Sequence, residues 1–378
     1  MTLSKLVPLL LLLLIHCGIA TALEDETANI ETTLSYYISG TANNQPEAIK
    51  KAFHPNAILI LEKANDAMWQ VPLKEYLSWY KGFKKDTGRR AKILNISVNG
   101  MLAQAKIRVD ILKSNVQYID HLLLKKLDGR WQIISKSAQR NTLTLEQQNN
   151  LGRRVLIVAS SKAFHGDSQL PAGTSFDELL SAYDIFTQAG LMVDFVSTQG
   201  GALNLSYINT SNDEHKKYLY QPDYMYALSN TMRPAEVDPS QYAAIYYVGG
   251  SNAMYEVAEN LTLQRIAMHI YEQNQGVIAA VCHGTAGIVN LRLKNGEYLI
   301  KGKQITGYPT AFENPDRAYF KHFPFQIQPK VEALGGNFEY GERNDSFIKV
   351  DSRIVTGQNY QSSQAVANSV LEYIYSIK

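Results

Sequence analysis

Two cysteines occur in 378 residues, and one of them, Cys282, lies in AVCHGTAGI (residues 280–288), with His283 directly after it. A thiol beside an imidazole is a nucleophile beside a base, the pairing that covalent catalysis uses. Ala280, Gly284, Ala286 and Gly287 leave room for a sharp turn and for a ligand to approach the backbone. The other cysteine, Cys17, falls in a leader-like N-terminus, so the chain without that leader would hold a single thiol and no intrachain disulfide. The plain alternative is a packing cysteine, because a free thiol behaves as a small hydrophobe.

The surrounding elements bear on that choice. RRVLIVAS (153–160) reads as a buried strand, FDELLSAYDIFTQAG (176–190) as a helix stopped by Gly190, and LMVDFVS (191–197) as a second strand. QYAAIYYVGG (241–250) is a third strand, LTLQRIAMHIYEQNQG (261–276) an amphipathic helix, and VIAAVC (277–282) a fourth strand that runs into His283-Gly284. Alternating strands and helices predict an α/β fold with a mainly parallel sheet, whose ligand sites lie at the carboxyl ends of the strands. Cys282 falls at such an end, entering a helix expected over GTAGIVNLRL (284–293). Backbone N–H groups at a helix start favour a thiolate and can hold an oxyanion, so the thiol pKa is expected below the free value of about 8.5.

From Arg153 onward the chain resembles the PfpI superfamily, with its flavodoxin-like, class I glutamine amidotransferase-like fold, and within it the glyoxalase III and chaperone-like branch. The pieces that carry the resemblance are RVLIVAS, ELLSAYDIFTQAGLMVDFVSTQGG, LSNTMRPAEVDPSQYAAIYYVGG, VIAAVCHGTAGI, KGKQITGY, GGNFEY and IVTGQNYQSS, in that order. The resemblance implies Cys282 as nucleophile, His283 as its base, Glu178 as an acid that hydrogen-bonds the cysteine, and Glu313 as the acid that orients the histidine. Read by themselves, Glu178 belongs on a solvent-facing helix, Glu313 in a turn, and His283 at a helix cap. Gly249, Gly250 and Gly284 are expected as backbone donors at the pocket, beside Ser251 and Asn252. The branch has Gly-Gly-His-Gly where this chain has Gly249-Gly250-Ser251-Asn252, so a pocket histidine is missing; Glu256 stands for an Asp and Tyr360 for a Pro. The implied activity is cofactor-free and metal-free conversion of a 2-oxoaldehyde, such as methylglyoxal, to a hydroxy acid by a homo-oligomer. An amidase or peptidase using the same residues, or a catalytically idle binding or chaperone-like protein, are the alternatives. The tyrosine-rich segment KKYLYQPDYMYALSN (216–230) reads as a cover over the pocket mouth or a subunit contact.

The N-terminal half has another pattern. ETTLSYYISG, PEAIKKAFHP and PLKEYLSWYKGF read as helices, followed by hairpins turning at Asn99-Gly100 and Asp128-Gly129. This α+β cone resembles the lumazine-binding family of the nuclear-transport-factor-two-like (SnoaL-like) superfamily, from AIKKAFHPNAILI through LLLKKLDGRWQIISK. Such a fold encloses a pocket, with His54, Trp69, Trp79, Tyr80, His121 and Trp131 as candidates to line it, although Trp79 and Trp131 also fit core positions. A module that binds a small ligand or another subunit is preferred to a second catalytic site. The expected divisions are residues 1–22, 23–140, a polar linker at 141–152, and 153–378.

The N-terminus reads as an address. Lys5, an apolar run from Leu6 to Ile15 and Ala20-Thr21-Ala22 fit a secretory signal cleaved after Ala22, giving a periplasmic or secreted protein; lipid attachment at Cys17 is the lesser reading, with His16 against it. Against 37 Lys+Arg stand 35 Asp+Glu, a balance without the basic footprint of a nucleic-acid partner. Asn95, Asn204, Asn209, Asn260 and Asn344 open N-x-S/T sequons, meaningful only in a eukaryotic secretory route. No Walker loop, GxGxxG or zinc-spaced Cys/His set occurs.

Overall fold

Buried stripes at helical spacing and alternating strands build the N-terminal part first. The computed structural model describes residues 26–63 and 67–376, so the leader reading, with Cys17 and cleavage after Ala22, lies outside the described residues. Contacts divide the chain into two compact units, one ending at Gly152 and the other beginning at Arg153.

In the first unit, helix α1 (residues 26–42) buries Ile30, Leu34 and Tyr37, three to four residues apart, as one face of a helix requires. Helix α2 (Pro46–Ala52) leads into strand β1 (Phe53–Glu62), then β2 (Met68–Pro72), α3 (Leu73–Ser78), β3 (Arg89–Asn99), β4 (Leu102–Ile111), β5 (Val116–Leu127) and β6 (Arg130–Asn141). The strands form one sheet in the order β2-β1-β6-β5-β4-β3, antiparallel except for β1 beside β6. Three local expectations change. Phe53-His54-Pro55 is strand, because the residue before a proline is driven to extended backbone and Pro55 falls within a register shift of β1. Asn99 still pairs with Leu102, which moves the first hairpin turn to Gly100-Met101. Trp131 is buried, but α3 stops at Ser78 and leaves Trp79 41% exposed. The segment expected as a linker contains helix α4 (Leu145–Asn149), whose cap residue Thr144 shares a reciprocal capping box with Gln147.

The second unit is a doubly wound sheet. Its strands are β7 (Arg154–Ala159), β8 (Met192–Ser197), β9 (Tyr242–Tyr247), β10 (Val277–Val281), β11 (Ile348–Asp351) and β12 (Ile354–Gly357), ordered β11-β12-β10-β9-β7-β8, with only β11 antiparallel. Alternate side chains bury on opposite faces. Val155, Ile157, Tyr246 and Ala279 pack under α5 (Phe176–Gln188), α6 (Asp213–Leu219), α7 (Pro222–Ser229) and α10 (Ser363–Ser376). Leu156, Val158, Tyr247 and Ile278 pack under α8 (Leu261–Glu272) and α9 (Ile327–Ala333). Phe176, Leu179, Leu180 and Phe186 anchor α5, each contributing roughly 1.5–3 kcal/mol of burial. From β7 the chain goes first to β8 on one side and then to β9 on the other, which opens a crevice at the carboxyl ends of β7 and β9. Among the described residues no helix is long and apolar enough to cross a membrane.

Candidate active site

Cys282 follows the last residue of β10 and takes a left-handed backbone, φ +57°. For a non-glycine residue this conformation costs on the order of 1 kcal/mol. The turn throws the side chain out of the sheet to the cavity at the strand ends, where it is 8% exposed. Residues 282–288 then wind as 3-10 turns, in place of the expected α-helix. Close passage over β9 explains the tighter winding: a Cβ on Gly284 would fall 2.3 Å from the carbonyl oxygen of Tyr247. No α-helix start therefore faces the sulfur, which receives instead the single backbone N–H of His283. Burial accordingly pushes the thiol pKa up, opposite to the sequence expectation, and the adjacent Glu178 charge pushes it further.

Glu178 is the third residue of α5, the position from which a glutamate ordinarily reaches back to the cap residue's own N–H. Here the N–H of the cap residue, Ser175, donates to the carbonyl of Gly249 at 3.1 Å. The Glu178 carboxyl is thereby free to accept the Gly249 N–H at Oε2, 2.7 Å away, and to meet Cys282. It is buried, not solvent-facing. Burial raises its pKa to about 8, against the opposing pull of its hydrogen bonds from Gly249, Cys282 and Ser175. Thiol and carboxyl thus form one coupled buried pair, in which Glu178 ionises before the thiol and its charge then holds the proton on the sulfur.

On the other side of the sulfur, His283 Nδ1 lies 3.5 Å from Sγ and its Nε2 lies 2.9 Å from Glu313 Oε1. A carboxylate only accepts, so Glu313 places the imidazole proton on Nε2 and turns the Nδ1 lone pair to the thiol. Tyr308 stacks on the imidazole, ring centres 4.4 Å apart, and holds its plane.

These four groups share a cavity of about 550 Å³. Gly250 and Ser251 line it as expected. Gly249 differs, because its N–H is already given to Glu178 and is not available to an oxyanion. Gly284 and Asn252 are not among the lining residues: Gly284 backs onto Tyr247, and the buried Asn252 amide donates to Ser160 O at 3.1 Å and Thr174 Oγ1 at 3.0 Å, pinning loops together. Glu256 lies elsewhere, accepting from Thr198 Oγ1 at 2.7 Å, whereas Tyr360 borders the cavity.

Several lining residues escaped the sequence reading. Tyr308, Tyr319 and Phe323 come from the loops after Cys282, and Tyr207, Asn209 and His215 from the segment between β8 and β9. The cover over the pocket is therefore made by residues before 216; within KKYLYQPDYMYALSN, Tyr218 and Tyr224 are buried core side chains. His215 offers no lone pair to a substrate: Nε2 meets Asp177 Oδ1 at 2.8 Å and Nδ1 accepts the Asn209 N–H at 3.1 Å. It fastens the segment to α5. Among the described residues no group of three or more His, Cys, Asp or Glu side chains could hold a metal ion. In the N-terminal unit, Trp69, Trp79 and Tyr80 line a separate cavity, while His54, His121 and Trp131 do not.

Comparison with known proteins divides the chain in the same way. Residues 25–138 match the family model described as "Putative lumazine-binding", and residues 171–372 match that of the DJ-1/PfpI family. Among curated relatives, a glutathione-independent glyoxalase of Schizosaccharomyces pombe is 27% identical over 243 residues, covering 58% of this chain and 97% of that one. Glyoxalase 3 of Candida albicans is 30% identical over 230 residues, again 58% of this chain and 97% of the relative. The crystal structure of glyoxalase III from Candida albicans superposes with a TM-score of 0.53 at 28% identity, over 58% of this chain and 96% of that one.

Proposed function

This chain belongs to the DJ-1/PfpI family, and on that premise we propose that its C-terminal unit converts a 2-oxoaldehyde such as methylglyoxal to the 2-hydroxy acid, without glutathione. One observation carries the reading: the buried Glu178 carboxyl, held by the Gly249 N–H at 2.7 Å, sits in the same cavity as the Cys282 thiol, and burial raises its pKa to about 8. A group poised there can take a proton from one carbon and return it to the next at neutral pH.

In the proposed sequence, Cys282 sulfur attacks the aldehyde carbon, the C=O π bond breaks, and the oxygen takes up the thiol's proton through His283. The product is a hemithioacetal. Glu178, in its ionised form, removes the proton from that carbon to give an enediolate, the hydroxyl proton passes from the first oxygen to the second through His283, and Glu178 returns a proton to the neighbouring carbon. The first carbon is oxidised and the second reduced within one molecule, which leaves a hydroxy acid thioester. Water then cleaves the C–S bond, releasing the acid and restoring the thiol. Gly250 lines the cavity, and its N–H, without a hydrogen bond among the described residues, is a backbone donor available to the oxyanion.

Turnover of methylglyoxal in D₂O by the purified protein, beside Cys282→Ala, tests this. Lactate formed only by the wild type is expected, with deuterium at C2 only in those turnovers in which the proton held by Glu178 exchanges with solvent before it is returned. Equal rates for both proteins would favour the idle binding protein, and turnover of peptide amides alone would favour the amidase. Export and self-association belong to the same proposal, export resting on Leu6–Ile15 followed by Ala20-Thr21-Ala22; N-terminal sequencing and light scattering of the secreted protein read them.

A further inference from the structure

The N-terminal unit has a cavity of its own, about 480 Å³, within the size range of small-molecule sites. Two of its lining residues, Asp120 and Lys136, are buried and paired at 2.6 Å. The second oxygen of Asp120 accepts the Tyr37 hydroxyl, also at 2.6 Å, so both carboxylate oxygens have partners and its charge is matched by one cation. Arg89 brings a second cation to the same cavity. Its Nε is buried and has no hydrogen-bond partner among the described residues. The remaining charged lining groups, Glu62, Lys63 and Arg140, are exposed and screened by solvent.

A buried guanidinium N–H without an acceptor is costly, and the pocket interior carries one positive charge more than it has negative. Both are relieved by the same kind of group, an anion with two acceptor oxygens in a plane, which the guanidinium fork matches bidentately. The walls select the rest of the ligand. Trp69 and Trp79 have ring centres 5.5 Å apart, Trp79 and Tyr76 5.2 Å, and Tyr76 and Tyr80 5.5 Å, a continuous run of ring faces and edges. Trp79, left exposed by the early end of α3, borders the opening. We propose that this cavity binds a planar aromatic carboxylate, its carboxylate on Arg89 and its ring against Trp69, Trp79 and Tyr76.

Calorimetric titration of the full chain with 2-naphthoate and with its neutral amide, 2-naphthamide, decides the matter. The acid is expected to bind at least about tenfold more tightly than the amide, the difference a charge-assisted bidentate contact makes. Arg89→Gln should remove that preference while leaving alkylation of Cys282 unchanged, and Trp79→Ala should weaken both ligands. Equal affinity for acid and amide, or an acid preference that survives in Arg89→Gln, would overturn the proposal. So would the absence of binding by either ligand up to roughly 10 mM, a concentration at which even a weak site fills. Should Arg89→Gln fail to fold, the acid–amide comparison in the unaltered protein still decides.

Discussion

Gly249 and Glu178 exchange their contacts across the first turn of a helix: the glycine N–H donates to Glu178 Oε2 at 2.7 Å, and a Cβ added to the glycine would fall 2.6 Å from that same oxygen and 2.9 Å from Cys282 Cβ. The glycine is the gap through which carboxyl and thiol meet. Gly249→Ala is therefore expected to fold, yet to lose at least about 100-fold in aldehyde turnover as the carboxyl is pushed off the sulfur. Steady-state kinetics beside a thermal melt check it, and an alanine variant with normal turnover would break the link between this backbone and the reaction.

Glu178→Gln should lower turnover by about 100-fold or more, because the amide keeps a hydrogen bond and cannot exchange the proton. It should also change stability in a direction the pKa fixes. The folded value, about 8, lies above the ordinary 4.5, so the protonated carboxyl's contribution is complete below about pH 4.5 and is lost as pH rises to about 8. The variant lacks this loss, so between pH 5 and pH 9 the wild type should lose stability relative to the variant by a margin on the order of 4 kcal/mol. Denaturant melts at pH 5 and pH 9 read the difference.

The paired titration has its own trace in the thiol. Iodoacetamide reaction of the wild type should rise only above the range in which Glu178 ionises, because burial and then the Glu178 charge both hold the proton on the sulfur. In Glu178→Gln the rise should move to lower pH, because the neighbouring negative charge is gone. A thiol already fully reactive at pH 6 in both proteins would contradict the burial that raises it.

Glu313→Gln tests the orienting contact. An amide at Oε1 can accept from or donate to Nε2, so the tautomer is no longer fixed, and a fall in kcat of roughly 10- to 100-fold with little change in KM is expected. Tyr308 still stacks on the ring, so the imidazole should stay in place; its ring-proton shifts by NMR distinguish a lost tautomer from a lost position.

What could be read before the structure follows from range. The strand and helix succession after Arg153 rests on local periodicity, and the DJ-1/PfpI and lumazine-binding resemblances rest on ordered motifs; both describe the chain as it is. The buried position of Glu178 was not legible from the helix, whose first turn ordinarily faces water; it needs the Gly249 backbone, 71 residues away. Tyr207, His215 and Tyr319 reach the cavity from loops with no period, and only the closed fold shows them there. The helix expected after Cys282 failed for a similar reason: Gly284 is tied to Tyr247 on another strand, a constraint that no window around residue 284 contains. Phe53-His54-Pro55 read as helix because α2 runs straight into it, although the proline already favoured extended backbone.

The left-handed backbone of Cys282 sets fold and reaction against each other at one codon. Glycine meets no steric penalty in that conformation and asparagine little, while cysteine does. A library randomised at this position and sorted only for survival of heating should drift to glycine and asparagine. Sorted for removal of aldehyde, it should return cysteine alone, keeping a residue that the scaffold by itself would discard.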